Sequence, residues 1–351
     1  MIPWALIGGG AGSFFGPVHR MAAALDGRFK LVAGAFSRSP ENNRQTAEGL
    51  GCRAYEDFAE LARSEAARPD GARLVTVATP NHLHFPVAKA CLESGLDVLC
   101  EKPMTLTLDQ AETLAALVAK SGRTFVLAHT YTGYAMVREA RRLVAEGALG
   151  RIRVVQVEYA QDWLASAVDS RQAEWRLDPA RSGAGGSLGD IGTHAFQLAQ
   201  FVTGLKVQAL AADLDHFGAG RSLDDNAHVL LRFEGGAKGM LWCSQIAIGR
   251  KNGLQLRVYG EKGALEWAQE QPELLHFAKL GEPASTLVRT QGRVPAGHPE
   301  GFIEALAELY RDTADTLAGK GSGLLPSARD GVEGLRFVTA AVASSGAWVP
   351  L

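Results

Sequence analysis

The residue types best suited to chemistry fall in a few short stretches. Asp190-Ile191-Gly192-Thr193-His194 sets a carboxylate four residues ahead of an imidazole, so on a helix the two share one face. Such a couple serves as general acid and base, as half of a metal site, or as a plain surface pair. A metal would need further ligands at suitable spacing, and none stands nearby in sequence. Glu101-Lys102-Pro103 puts an ammonium beside a carboxylate directly after an apolar run. Surface ion pairing is the ordinary alternative to a working role there. Thr79-Pro80-Asn81-His82-Leu83-His84 carries a hydroxyl, an amide and two imidazoles, and capping or packing is the common use of a lone histidine.

A fourth stretch, Gly8-Gly9-Gly10-Ala11-Gly12-Ser13-Phe14-Phe15-Gly16, follows the first apolar run of the chain. A dinucleotide site needs glycine at such a turn because the backbone must bend sharply and approach a pyrophosphate at a helix N-terminus. The strict G-x-G-x-x-G spacing fails here, because Ser13 stands at the third glycine position counted from Gly8. Gly8, Gly10, Gly12, Ser13, Phe14 and Phe15 are the expected contacts of the turn. About 20 residues on, a carboxylate would select the ribose hydroxyl of NAD. This chain has Ser37-Arg38-Ser39 instead, with Asn42, Asn43 and Arg44 close by. A hydroxyl and a guanidinium suit the 2′-phosphate of NADP.

These stretches need elements to hold them. Over the first 130 residues, apolar runs alternate with helical patterns. Trp4–Ile7, Leu31–Phe36, Leu74–Thr79, Asp97–Cys100 and Thr124–Ala128 read as strands. Helices follow the glycine turn, open at Pro40 and Asp57, and cover Phe85–Ser94 and Thr107–Ser121. Short connections imply right-handed crossovers and a doubly wound parallel sheet, with Thr79–His84 at the carboxyl end of the strand that starts at Leu74 and Glu101–Lys102 at that of Asp97–Cys100. After about residue 150 the texture changes to long, partly alternating strands at 151–159, 207–217, 226–234, 237–248 and 254–259. One helix interrupts them at 187–202, two more close the chain at 300–317 and 328–344, and 281–298 reads as an exposed loop. The expected fold is α/β: an N-terminal Rossmann domain, 1–128, with a doubly wound parallel sheet, and a C-terminal α+β domain, 129–351, with a large, mostly antiparallel open sheet.

Composition excludes several classes. The chain has 351 residues, 46% of them hydrophobic and 21% charged, which is too apolar for a disordered protein. Thirty-six basic against 38 acidic residues give a net charge of -2, so neither nucleic acid nor an anionic membrane is called for as partner. There is no basic region ahead of the apolar start, and no run of about 18 apolar residues, so neither a signal peptide nor a membrane span is expected. Cys52, Cys91, Cys100 and Cys243 are scattered, as reduced thiols in a cytoplasmic protein would be.

Taken in order along the chain, these motifs resemble the glucose–fructose oxidoreductase/inositol dehydrogenase (Gfo/Idh/MocA) family of sugar and cyclitol dehydrogenases. The resemblance covers nearly the whole chain and rests on the glycine turn, Thr79-Pro80-Asn81-His82 with His84, Glu101-Lys102-Pro103, and Gly189 through His194. The turn variant at 8–20, Trp175-Arg176-Leu177-Asp178-Pro179 and Pro295 through Gly301 are similar to a branch that oxidises pyranoses and inositols. Several members of that branch use NAD, which opposes the Ser37-Arg38 argument, so the cofactor expected is NAD(P).

By that resemblance the catalytic residues are Lys102, Asp190 and His194. His194 would take the hydroxyl proton as hydride leaves the same carbon, Asp190 would orient the hydroxyl or the imidazole, and Lys102 would bond the reacting oxygen. A cis Lys102–Pro103 bond is also implied. Thr79, Pro80, Asn81, His84, Glu101, Lys102, Trp175 and Arg176 are expected at the cofactor. Tyr131, Trp163 and His298 are expected at the substrate beside Lys102, Asp190 and His194, with no metal. Core packing and a surface ion pair are the alternatives for Trp163, Trp175 and Arg176. A homodimer or homotetramer is expected, because an open sheet face usually finds a partner. A glycosidase that regenerates its NAD, and a regulatory dinucleotide-binding protein, are the alternative functions.

Overall fold

The computed structural model describes residues 1–166 and 171–351. They form two compact units, one of residues 1–130 and 306–332, the other of residues 131–305 and 333–351. The expected division after residue 128 follows chain order; the units differ from it in the segment 306–332, which packs with the first.

In the first unit, β1 (Ile2–Gly8), β2 (Phe29–Ala35), β3 (Arg53–Ala54), β4 (Leu74–Ala78), β5 (Asp97–Cys100) and β6 (Phe125–Leu127) lie in the order β3-β2-β1-β4-β5-β6. Every pairing is parallel. This is the doubly wound order, whose direction reverses between β1 and β4, and ligands of such sheets bind outside the carboxyl ends there. The connecting helices are α1 (Phe15–Leu25), α2 (Pro40–Leu50), α3 (Phe58–Ala67), α4 (His84–Glu93) and α5 (Leu108–Ser121). Their starts are written locally. Ser39 Oγ accepts from the Asn42 N–H just before Pro40, Asp57 Oδ1 accepts from the Glu60 N–H at 2.7 Å, and Thr107 Oγ1 caps α5. β4 is buried along four of its five residues, as an unalternated apolar run requires.

The second unit carries α6 (Ala135–Ala145), β7 (Ile152–Ala160), α7 (Arg171–Arg176), α8 (Pro179–Ser182) and α9 (Thr193–Thr203). Then come β8 (Val207–Asp215), β9 (Asn226–Phe233), β10 (Lys238–Ser244), β11 (Gly253–Gly260), β12 (Gly263–Ala268), β13 (Leu274–Lys279) and β14 (Ser285–Val288). After α10 (Phe302–Leu317) and α11 (Ala328–Ser344), β15 (Val349–Pro350) closes a nine-stranded sheet of order β14-β13-β12-β11-β7-β10-β9-β8-β15. All its pairings are antiparallel except β7 with β10. α9 is buried nearly all round, and its Phe196 stacks on Phe337 of α11 with ring centroids 4.4 Å apart. On the opposite sheet face, Val154, Leu230, Met240 and Tyr259 are exposed.

Two expectations need correction. The segment 281–298 is not simply a loop: β14 pairs with β13, and Arg289 beyond it is buried, held by Glu273. A strand of only four residues is too short to give a periodic signal. The helix expected from 187 begins as a π-helical turn, Leu188–Gly192, and becomes α-helical only from Thr193. Neither α6 nor β13 was expected, although Met136, Val137 and Ala140 place α6's buried stripe at helical spacing.

Candidate active site

The glycine turn joins β1 to α1. Gly8 has φ +81°, and a Cβ there would stand 2.4 Å from the Ala78 carbonyl oxygen of β4, so only glycine lets the two strand ends close up. Gly12 has φ +76° and nothing within 4 Å of its missing Cβ, which leaves bare backbone facing open space. That is the cradle a pyrophosphate needs. Ser13 explains the irregular spacing: its Oγ accepts from the Gly16 N–H at 3.2 Å, while its own N–H bonds the Gly10 carbonyl. Phe14 is exposed and packs edge-on against Phe15.

Beyond β2, Ser37 Oγ accepts from the Ser39 N–H, and Arg38 is exposed with no ion pair among the described residues. Asn43 and Arg44 are otherwise engaged. Buried Asn43 bonds the Phe36 N–H and the Tyr55 carbonyl, each at 2.7 Å, and Arg44 pairs with Glu41 and Glu48 along α2. Ser37, Arg38 and the exposed Asn42 side chain are not committed in this way.

At the end of β4, Thr79 Oγ1 is buried without a hydrogen-bond partner among the described residues. An orphaned hydroxyl beside the glycine cradle fits a missing polar group, so the donor set suits a dinucleotide. Pro80 and Asn81 lead into a short 3₁₀ turn, and Asn81 is buried. His84 is fully buried, with Nδ1 2.7 Å from the Pro103 carbonyl and Nε2 2.9 Å from the Thr79 carbonyl, so it ties the ends of β4 and β5 together. Burial pushes its imidazole below the ordinary value, against the pull of the two carbonyls.

Glu101 is not at the surface. Its carboxylate is buried, 3.0 Å from His19 Nε2, and accepts from the Lys102 N–H at 3.2 Å. Burial alone would raise this carboxyl, but the His19 hydrogen bond and the charges of His19, Lys102 and His84 hold it below the usual range. The Lys102–Pro103 bond is cis. Half-buried Lys102 closes the site residues of this unit, and buried His129 lies near enough for the Lys102 charge to reinforce the effect of burial, which pushes its imidazole down to about 3.

In the second unit, Asp190 sits in the π turn and His194 in the first turn of α9. The wider turn changes their relation: they are not a regular i, i+4 pair on one α-helix. Asp190 Oδ2 accepts from Gln245 Nε2 at 2.9 Å and lies 3.5 Å from Arg176 Nε. Arg176 also lies over the Trp175 ring, 4.6 Å from its centroid. His194 is buried, with the Tyr131 ring edge-on at 4.8 Å and the Tyr159 ring at 6.1 Å. The phenols of Tyr131 and Tyr159 are hydrogen-bonded to each other, and Tyr159 Oη donates to Asn252 Oδ1 at 2.5 Å. Burial raises the Tyr159 phenol far above the ordinary value, which keeps it protonated.

Asp224 anchors this turn by accepting from the N–H groups of Gly186 and Leu188 and from the Ser187 hydroxyl, all within 2.8 Å. Trp163 lies in a half-buried turn after β7. His298 is exposed, and its carbonyl is held by Arg289 at 2.7 Å. Lys102 thus belongs to the first unit, and Asp190, His194, Tyr131, Trp163, Trp175, Arg176 and His298 to the second. Gln245, Tyr159, Asn252 and Asp224 were not foreseen from sequence: they lie on β7, on β10 or just past it, or in loops, and carry no motif of their own. Among the described residues, no group of three or more His, Cys, Asp or Glu side chains is placed to hold a metal.

Comparisons with known proteins show the family. Residues 2–129 match the oxidoreductase family with an NAD-binding Rossmann fold, and residues 137–266 match the Gfo/Idh/MocA C-terminal domain. The chain belongs to the Gfo/Idh/MocA family of oxidoreductases. It is similar to an inositol dehydrogenase homolog from Azotobacter vinelandii, solved in complex with NAD+, at 38% identity and TM-score 0.95, covering 100% of this chain and 97% of that one. It is 34% identical to the oxidoreductase YfiI of Bacillus subtilis over 97% of this chain and 94% of that protein. Levoglucosan dehydrogenase of Pseudarthrobacter phenanthrenivorans is 29% identical, covering 98% of this chain and 96% of the relative.

Proposed function

We propose that this protein is an NAD(P)-dependent dehydrogenase that exchanges a hydride between the nicotinamide and a secondary hydroxyl of a monosaccharide or inositol. The observation that carries the reading is the buried His194 imidazole, packed against Tyr131, with Asp190 four residues earlier in the chain fixed by Gln245 and Arg176. His194 accepts the hydroxyl proton, Asp190 orients the hydroxyl or the imidazole, and Lys102 donates a hydrogen bond to the oxygen that becomes a carbonyl. The nicotinamide, when bound, supplies the hydride acceptor. The glycine turn, Ser37, Arg38, Thr79 through His84 and Glu101–Lys102 hold the coenzyme. Trp175 and Arg176 stand at its nicotinamide side, and Tyr131, Trp163 and His298 stand at the substrate.

Related proteins support the substrate class: the A. vinelandii homolog has been solved with NADH and myo-inositol, and levoglucosan dehydrogenase with NADH and levoglucosan. Residues 1–128 form the coenzyme domain in this reading, and 129–351 the domain for substrate and self-association. The exposed apolar side chains Val154, Leu230, Met240 and Tyr259 favour a homodimer or homotetramer built on the open sheet face. Four free thiols suit the cytoplasm.

The test is nicotinamide absorbance during incubation with NAD or NADP and a panel of inositols, hexoses and pentoses. Net reduction with one of them is expected. Bound coenzyme with no net reduction, but with cleavage of aryl glycosides, would replace this reading by the NAD-regenerating glycosidase.

A further inference from the structure

At the carboxyl end of β5 a continuous run of buried hydrogen bonds reaches Lys102 from the core. Thr76 Oγ1 on β4 is 2.9 Å from Tyr310 Oη of α10, and that phenol is 2.9 Å from His19 Nδ1 of α1. His19 Nε2 is 3.0 Å from Glu101 Oε1, and Glu101 Oε2 accepts from the Lys102 N–H at 3.2 Å. His19, Thr76 and Tyr310 are at most 1% exposed. The Tyr310 ring is fixed edge-on by Trp4 and Phe29, at 5.9 and 5.4 Å, so the phenol has one place to be. A carboxylate only accepts hydrogen bonds, so His19 Nε2 carries the proton between them.

We infer that His19 is a positioning residue for Lys102: backed by Tyr310, it holds the Glu101 carboxylate against the Lys102 backbone N–H, so that the end of β5 presents the Lys102 side chain in one fixed place. The inference rests on the reading of Lys102 as a catalytic residue.

The alternative is that His19 merely fills the core. Geometry argues otherwise. A histidine used only for packing needs partners for its polar atoms, but not a carboxylate on the residue next to the working lysine. The charged and titratable groups around Glu101 are His19, Tyr310, Cys100, Lys102, His84 and His129, from five different segments of the first unit. His19 Nε2 bonds the Glu101 carboxylate directly, at 3.0 Å.

The experiment uses the full chain and three variants. His19→Ala removes the donor, His19→Gln offers an amide N–H in its place, and Tyr310→Phe removes the group behind the ring. Carbon NMR of labelled glutamate, with the Glu101 signal identified by its loss in Glu101→Gln, follows the carboxyl without any substrate. In His19→Ala, Glu101 is expected to titrate at least about one pH unit higher, since the hydrogen bond that most opposes the effect of burial is then lost. Tyr310→Phe should give a smaller upward shift, and His19→Gln should restore the wild-type curve. With the polyol that the wild type oxidises, His19→Ala should lower kcat at least about tenfold across the pH range, while coenzyme Kd stays within about twofold.

An unchanged Glu101 titration and kcat profile in His19→Ala, with only a lower Tm, would overturn the inference. If His19→Ala does not fold, an unshifted Glu101 in Tyr310→Phe overturns it equally. A wild type that oxidises no polyol would defeat the proposed function, while the Glu101 titration would still decide whether His19 controls this carboxylate.

Discussion

Lys102 and His194 are the two groups whose loss should separate chemistry from binding. Lys102→Met and His194→Ala are expected to lower kcat by about 10²–10⁴, the usual contribution of a positioned proton-transfer group, with coenzyme affinity largely kept. Stopped-assay turnover and fluorescence titration of coenzyme check both halves; near wild-type rates in either variant would sink the assignment. Arg38 decides a different matter. It is exposed and unpaired among the described residues, whereas Arg44 is committed to α2. Arg38→Ala should therefore raise KM for NADP about tenfold and leave KM for NAD unchanged, as removal of one charge-assisted phosphate bond would. Equal effects on both coenzymes would show that Arg38 does not face the 2′ position.

How Asp190 and His194 reach their places is a matter for the element that carries them. The π turn at Leu188–Gly192 is stapled at its start by Asp224, which receives three hydrogen bonds there. Asp224→Asn keeps the volume but turns one acceptor oxygen into a donor, leaving a buried N–H unsatisfied. A loss of about 1–3 kcal/mol follows, or about 2–8 °C in Tm, together with a lower kcat and an unchanged coenzyme Kd. A variant equally impaired in coenzyme binding would mean that the damage is not confined to this element. Sequence spacing suggested a regular helical pair here. The turn instead packs closely on β10: a Cβ at Gly192 would stand 3.0 Å from Cys243 Sγ, on a strand about fifty residues further along.

Stability of the whole molecule should depend on its buried imidazoles. Burial, with Lys102 adding to it, holds His129 down to about 3, and burial lowers His84. An unfolded histidine binds its proton near pH 6.5, so below that value the unfolded chain takes up more protons than the folded one. Stability is thus full above about pH 6.5 and falls as pH drops toward 3. Glu101 and Glu65, held below their ordinary values, add to the loss only below about pH 4.5, while Asp224, raised by burial, acts in the opposite sense. Melting curves between pH 7.5 and 5 should show the loss from the histidines, and His129→Asn should flatten the slope; an unchanged slope would refute it. The open face of the nine-stranded sheet makes a second prediction at this scale. Met240→Glu, which puts a charge among Val154, Leu230 and Tyr259, should shift light-scattering mass toward the monomer without lowering the melting temperature of the monomer.

Much of this protein was legible in one dimension. The parallel sheet follows from unalternated apolar runs and from caps such as Ser39–Pro40 and Asp57, all of them local signals. The glycine turn, Glu101-Lys102-Pro103 and the Asp190/His194 spacing could be found because their chemistry lies within a few residues. Tertiary structure alone decided the rest. Tyr310 meets His19 across 291 residues, Asp224 meets Ser187 across 37, and Gln245 meets Asp190 across 55. No periodicity or motif encodes such pairs, because each forms only when chain-distant segments are packed around a shared core, and burial then turns an ordinary glutamate or histidine into a fixed partner.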